Sequence, residues 1–143
     1  MNEGVTLSAE PDALRRLPLF AGLAEESLGR LAEIASEVQV PAGQTLIRPY
    51  DVGLGMFVIE EGSVVVEMRG GREVELGAGE FFGELALLVP EATRVARVRA
   101  VNDARLVAIS RDGFHELLEH DPQIAVAMLP VLARRLASMV REA

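Results

Sequence analysis

Near the N-terminus, apolar residues recur at the spacing of one helix face. In segment 25–38 they follow steps of three and four, at Leu28, Leu31, Ile34 and Val38. Asp12–Leu17 is a shorter helical segment that Pro18 ends. The pattern predicts an N-terminal helical segment over residues 11–40. Residues 1–10 are polar, small and unpatterned, which predicts a flexible tail.

Residues 41–110 change to short runs rich in β-branched residues, separated by turns. Within the run 94–101, Ala96, Val98 and Ala100 alternate with Arg97 and Arg99, as expected of a strand with two different faces. Gly70-Gly71 predicts a tight hairpin. The other predicted strands are Met56–Glu60, Ser63–Arg69, Glu73–Leu76 and Leu106–Ile109. Short strands at even spacing favour a mainly β fold, a barrel or jelly roll, over a helix-alternating parallel sheet.

Helical patterning returns over residues 111–143. Ser110 can cap a first helix, and Asp121-Pro122 fit the start of a second one. The second helix carries apolar residues on more than one stripe, which predicts contact with its own barrel and with a second chain. These residues are Ile124, Met128, Leu129, Val131, Leu132, Ala133, Leu136, Met139 and Val140. Pro130 lies inside this helix and is expected to bend it.

Composition narrows the classes of protein and partner. The chain has 143 residues, the length of one domain, and a formal charge of −8, which argues against nucleic acid held by bulk electrostatics. Cysteine is absent, which excludes disulfides, thiolate zinc sites and cysteine catalysis. No apolar stretch is long enough to cross a bilayer, and the first ten residues lack signal-peptide features. We therefore expect a cytoplasmic protein with no membrane or nucleic-acid partner.

The candidate chemistry lies in residues 79–94. After Gly83, helix-forming residues continue for about two turns, until Pro90. A helix that begins directly after a glycine presents unpaired N–H groups and a positive dipole end, which suit a phosphate. Arg94 follows ten positions after Glu84, and its guanidinium can bind two phosphate oxygens. Glu84 is a good acceptor for a sugar hydroxyl. Together these residues predict a site for a sugar phosphate.

Each of these residues also has a purely structural interpretation. Gly83 can form a barrel corner, Glu84 can favour a helix dipole, and Arg94 can make a surface ion pair, usually worth under about 1 kcal/mol. His115 and His120 have no second ligand at metal spacing, so no metal site is predicted. The acids and histidines show no nucleophile–base spacing, and we expect no catalytic residues and no enzymatic activity. A small metal-dependent barrel enzyme is the alternative from a different class.

The run GEFFGELALL, followed by TRVARV, resembles the phosphate-binding cassette of cyclic nucleotide-binding domains, whose pattern is roughly F-G-E-L-A-L-L, a spacer and R-x-A. The spacing from Glu84 to Arg94 is similar to that of the catabolite activator branch. Leu14–Leu23, Ile47–Gly62 and Leu106–Leu118 also resemble this family, so the likeness covers nearly the whole chain. It implies a double-stranded β-helix (jelly-roll) barrel over residues 41–110, with cassette 79–96, N-terminal helices and a C-terminal helical lid.

The resemblance also implies roles for individual residues. Ribose and cyclic phosphate would lie among Gly83, Glu84, Leu85 and Ala86, with Glu84 accepting from the 2′-hydroxyl. Arg94 would bind the phosphate, helped by the backbone N–H of Val95 or Ala96. The inner wall near the base would contain Val66 and Val74. The part of the last helix that closes over the base would contain Arg135, Leu136 and Met139.

Two departures from the family pattern bear on the ligand. Many members have Ala, Ser or Thr in place of Val95, and some have a hydroxyl in place of Met139. Without the hydroxyl that is often linked to guanine recognition, the expected ligand is cyclic AMP, with cyclic GMP as the other candidate. No cofactor is expected.

The expected function is that of a stand-alone sensor or regulatory domain. The sequence stops about where the family's regulators continue into a helix-turn-helix domain. Ligand binding would move the C-terminal helices, and a homodimer or partner interface on the last helix would sense the change. The alternative function is a structural or partner-binding module that has the same fold, binds no ligand and uses its C-terminal helix.

Overall fold

The structure, a computed structural model, describes residues 5–47, 55–84 and 97–141. The helices are α1 (Pro11–Arg15), α2 (Glu25–Ile34), α3 (Arg111–His120) and α4 (Gln123–Arg141), with short 3-10 turns at Pro18–Phe20 and Arg69–Gly71. The strands are β1 (Val5–Ser8), β2 (Ala35–Val40), β3 (Thr45–Ile47), β4 (Gly55–Glu61), β5 (Val64–Glu67), β6 (Glu73–Leu76), β7 (Phe81–Phe82), β8 (Arg97–Ala100) and β9 (Ala104–Ser110).

Two antiparallel sheets make up the body of the described chain. The first has the order β1-β2-β9-β4-β7 and the second the order β3-β8-β5-β6. Alternate residues of both sheets meet in one core, because successive side chains of a strand point to opposite faces. This inner core contains Val40, Ile47, Ile59, Val64, Leu76, Phe82, Val98, Ala100, Ala104 and Leu106. The expected mainly β jelly-roll barrel with flanking helices is confirmed.

The helices cover the other face of the first sheet. In β4, Met56 and Val58 point towards the helices, whereas Ile59 points into the barrel. The helix-covered core draws on every described helix and on the two central strands. Its members include Leu14, Phe20, Leu28, Leu31, Val107, Ile109, Phe114, Leu117, Ile124 and Met128. The N-terminal and C-terminal helices are therefore packed together on one side of the barrel.

The structure corrects two boundaries. The helix expected over segment 25–38 ends at Ile34, and the chain continues as β2, which pairs with both β1 and β9. Val38 fits the helical steps, but it also alternates with Val40, and both pack against the inner core. The tail expected over residues 1–10 is wrong for Val5–Ser8, whose backbone pairs with β2. That pairing is a long-range contact, which a local pattern does not reveal.

Local signals at turns and caps were reliable. Gly70 and Gly71 have φ values of +83° and +85°, in the left-handed region that the hairpin between β5 and β6 requires. The Ser110 hydroxyl accepts a hydrogen bond from the Gly113 N–H at 3.1 Å and caps α3, as predicted. Pro130 lies within α4, which continues on both sides of it.

Candidate ligand site

Gly83 and Glu84 come directly after β7, at the end of the first sheet. Gly83 has φ +91°, a conformation that favours glycine and turns the chain away from the strand. Glu84 is 8% exposed, so its carboxylate is removed from bulk water. A buried carboxylate needs donors. A sugar hydroxyl beside it would supply one.

Arg135 of α4 supplies a charged partner to Glu84. Its Nη1 lies 3.5 Å from a carboxylate oxygen of Glu84, and its Nη2 donates to the Phe81 carbonyl at 2.6 Å. The guanidinium also lies 4.7 Å from the centre of the Phe81 ring, in cation–π geometry. One side chain of the last helix thus contacts the strand, the ring and the carboxylate that the sequence assigned to the ligand.

The structure brings Val66 and Val74 together, and their role beside a base stays a prediction. They form a cross-strand pair between β5 and β6, and both pack partly buried against the inner core. They therefore lie on the inner face of the second sheet.

The sequence interpretation missed Arg72 and Ser138. An Nη2 of Arg72 donates to the Ser138 hydroxyl on α4 at 3.4 Å, a second polar contact between barrel and helix. Strand alternation could have indicated Arg72, because it has the same parity as Val74 and Leu76, which face inwards.

Leu136 does not take the position expected of it. Its side chain is 63% exposed, whereas Arg135 beside it reaches the barrel. Neighbouring residues on a helix differ by about 100° in direction, so the two cannot both face inwards. Met139 lies in the same helix.

Part of the expected site falls outside the described residues. These positions are Leu85, Ala86, Arg94, Val95 and Ala96. The structure therefore describes Gly83, Glu84, the two inner-wall valines and the helix, and the phosphate contacts of Arg94 stay a prediction.

Neither a metal-binding cluster nor a membrane-spanning helix occurs among the described residues. Across residues 5–47, 55–84 and 97–141, no group of three or more His, Cys, Asp or Glu side chains could hold a metal ion. Within the same ranges, no helix combines the length and apolar character needed to cross a membrane.

Residues 37–121 match the family model of the cyclic nucleotide-binding domain, which is more than half of the chain. Among solved structures, the catabolite activator protein of Thermus thermophilus is 32% identical, with a TM-score of 0.74 over 87% of this chain and 61% of that chain. A cAMP-binding acyltransferase from Mycobacterium smegmatis is 29% identical, with a TM-score of 0.76 over 90% of this chain and 41% of that chain.

Curated relatives include the human potassium/sodium hyperpolarization-activated cyclic nucleotide-gated channel 2. It is 36% identical over 121 residues, which cover 84% of this chain and 13% of the channel. The chain spans about a quarter or less of the length of the curated relatives that it matches. What these longer proteins share with this chain is one domain.

Proposed function

The chain belongs to the cyclic nucleotide-binding domain family, and from this premise we propose that it is a sensor domain that binds a cyclic nucleotide and thereby moves the C-terminal half of α4. The observation that carries the proposal is the contact between Glu84, in the binding cassette, and Arg135, on the last helix. The proposed mechanism is binding without chemistry, so the nucleotide leaves unchanged.

Glu84 is suited to the ribose. Its carboxylate is buried, and when it is ionised it accepts a stronger hydrogen bond from a hydroxyl than a neutral acceptor would. The backbone after Gly83 would provide N–H groups for the phosphate, with Arg94 as the cation. Val66 and Val74 would give the base an apolar wall.

Arg135 connects occupancy of the site with the position of α4. A ribose hydroxyl that donates to Glu84 would add another donor to the carboxylate that Arg135 contacts, and so change the geometry of that contact. A ligand moves an equilibrium only through its different affinities for the two states. Because Arg135 contacts both Glu84 and the Phe81 carbonyl, a bound nucleotide would alter the contacts that hold the helix on the barrel.

Cyclic AMP is the proposed ligand, with cyclic GMP as the competitor to be tested beside it. The Mycobacterium smegmatis acyltransferase is described as cAMP-binding. A protein kinase A regulatory subunit from Trypanosoma cruzi, 27% identical, is described as cAMP-independent and bound to guanosine. Relatives of similar identity thus differ in the base, so only a direct comparison of the two nucleotides assigns it.

A second candidate function, a partner-binding module, is favoured by the outer surface of α4. Its exposed apolar residues follow steps of three, four, three and four, the spacing of a two-helix seam. They are Val126, Leu129, Ala133, Leu136 and Val140, and the four larger ones are 62–66% exposed. We propose a second copy of this chain as the partner, because a homodimer would bury the same stripe of both copies.

Calorimetric titration of the nucleotide-stripped protein tests the sensor function. We expect micromolar or tighter binding of cyclic AMP, and recovery of the nucleotide intact. Arg94→Ala should weaken binding by about 2–4 kcal/mol, roughly 30- to 1000-fold, because it removes a charged hydrogen-bond donor from the phosphate. Arg97→Ala, at an exposed position of β8, is the matched control and should bind normally.

Two results would count against the sensor. Equal affinity in Arg94→Ala and wild type would remove Arg94 from the site. No heat with either nucleotide, together with an unchanged melting temperature, would favour the partner-binding module. Analytical ultracentrifugation of wild type and Leu129→Glu would then show whether the exposed stripe holds a second copy.

A further inference from the structure

A charged cluster lies on the helix-covered face of the first sheet, away from Glu84. The Nε of Arg105, on β9, is 3.7 Å from a carboxylate oxygen of Glu37 on β2 and 3.7 Å from one of Glu60 on β4. Its Nη2 donates to Glu61 at 2.6 Å. Three carboxylates from β2 and β4, the two strands on either side of β9, thus surround one guanidinium.

Glu60 is the most buried member of this cluster. Its side chain is 7% exposed, and its Oε1 has no hydrogen-bond partner that meets normal geometry. Arg105 is half-buried and Glu61 is largely exposed. Besides these groups, Arg16 lines the groove of about 340 Å³ that Glu60 also lines.

One cation cannot neutralise three carboxylates, two of which are well removed from water. Burial first, and then hydrogen bonding with Glu37 and the charge of Glu37, raise the pKa of Glu60 to about 7, against the opposing charge of Arg105. Two carboxyl groups form a hydrogen bond with one another only when one of them keeps its proton. Both carboxylates lie 3.7 Å from the same Arg105 Nε, so this shared position and the charge balance favour one proton for the pair.

The cluster is joined to the ligand site through the backbone. The pairing of β4 with β9 shifts register between Ile59 and Glu61, so Glu60 lies at an irregularity of the strand. The Ile59 N–H donates to the Glu80 carbonyl at 2.8 Å, and the Gly79 N–H donates to the Ile59 carbonyl at 2.7 Å. Segment 79–84 contains Gly79 and Glu80 and ends at Gly83 and Glu84.

We propose that Glu60 keeps a proton in mildly acidic solution and shares it with Glu37 in a hydrogen bond, and that the loss of this proton as the pH rises past neutrality loosens segment 79–84 and weakens nucleotide binding. The second half of this proposal rests on the proposed function. Without the proton, Glu37 and Glu60 repel one another beside Ile59, and Ile59 carries both hydrogen bonds to the turn. The ligand of this cluster is therefore a proton.

The direction of the pH effect follows from proton linkage. The pKa of Glu60 in the folded protein lies above its ordinary value of 4.5. Between pH 4.5 and about 7, the folded state therefore keeps a proton that the unfolded state has already released. The stability that this proton contributes is present in acid and is lost as the pH rises through 7. Nucleotide affinity should fall over the same range.

The test compares wild type with Glu60→Gln, in which the amide keeps a hydrogen bond to Glu37 without titrating. For the ligand-free proteins, we expect the melting midpoint of wild type to fall by about 3 °C more than that of the variant between pH 6 and 8. The Kd of wild type for cyclic AMP should rise about fivefold over the same range, and that of the variant should stay nearly constant. Glu75→Gln, at an exposed position of β6 outside the cluster, is the matched control and should behave like wild type.

The two measurements separate the two proposals. Equal pH dependence of melting in wild type and Glu60→Gln would overturn proton sharing, whether or not nucleotide binds. A melting difference without a change in Kd would overturn the link to the ligand site. Absence of binding at every pH would overturn both the link and the proposed function, while the melting curves would still decide on the proton. Glu37→Gln, which removes the other carboxylate, should give the same result as Glu60→Gln.

Discussion

In the first half of α4, Ile124 and Met128 are 1% and 2% exposed and belong to the core beneath the helices. In the second half, beyond Pro130, the hydrogen bonds and ion pair to the barrel come from Arg135 and Ser138, and both side chains are only partly buried. Apolar burial holds the helix as far as Leu132, because Val131 and Leu132 also pack partly buried against this core. The rest of the second half depends on polar contacts at a boundary with water. Such contacts contribute little net stability, so the second half is the part that a ligand can move.

The start of α4 is held by a buried polar contact as well. Asp121, immediately before the helix, is 3% exposed and accepts a hydrogen bond from the Ser27 hydroxyl of α2. Arg30 of α2 lies 3.5 Å from the other Asp121 oxygen. One end of α4 is thus anchored to the N-terminal helices, whereas the other end is held by Arg135 and Ser138.

The largest expected effect is on the anchored half. Met128→Ala should lower the free energy of unfolding by about 3 kcal/mol, because it leaves a cavity in the core. Leu136→Ala, the matched control in the other half, should change it by less than about 0.5 kcal/mol, since Leu136 is exposed. Urea denaturation of the ligand-free proteins measures both. Similar losses for the two variants would contradict the difference between the halves.

A smaller loss is expected at the buried contact that precedes α4. Asp121→Ala should cost about 2 kcal/mol, because it removes the acceptor of the Ser27 hydroxyl and the charge that faces Arg30. Asp121→Asn, which can still accept from Ser27, should lose less. Thermal melting of the two variants checks the order. An unchanged melting temperature for Asp121→Ala would show that this end needs no polar anchor.

The smallest expected effect is on the stability of the ligand-free protein when Arg135 is removed. Arg135→Ala should cost about 1 kcal/mol, because its partners Glu84 and the Phe81 carbonyl keep some access to water once the helix end moves. Arg134→Ala, at the neighbouring exposed position, should have no measurable effect. Urea denaturation again gives the values. A loss as large as that of Met128→Ala would mean that the second half is anchored as firmly as the first.

Much of this architecture could be predicted from local patterns. Turn glycines, the Ser110 cap and strand alternation depend on neighbouring residues, so Gly70, Gly71 and Val98 were placed correctly. Val38 was misplaced because a four-residue step from Ile34 and a two-residue step to Val40 both fit it, and pairing with β9 decides between them. β1 was missed because its only signal is its partner strand.

The candidate site was predictable where the motif is contiguous. Gly83 and Glu84 are neighbours in sequence and in the structure. The partner of Glu84 is 51 residues away, and the helical pattern alone did not distinguish Arg135, which reaches inwards, from Leu136, which faces solvent. Glu60 was placed at the end of the predicted strand Met56–Glu60, but its burial was not predicted, although it shares the parity of Met56 and Val58 on the helix-covered face.

Hydrogen–deuterium exchange along α4, with and without saturating cyclic AMP, tests the central claim most directly. We expect slower amide exchange in residues 133–141 on binding and no change in residues 123–132, because only the end of the helix beyond Leu132 is held by contacts that the ligand alters. Saturation with nucleotide that leaves exchange unchanged in both halves would contradict it, and would show that binding at Glu84 is not transmitted to the helix.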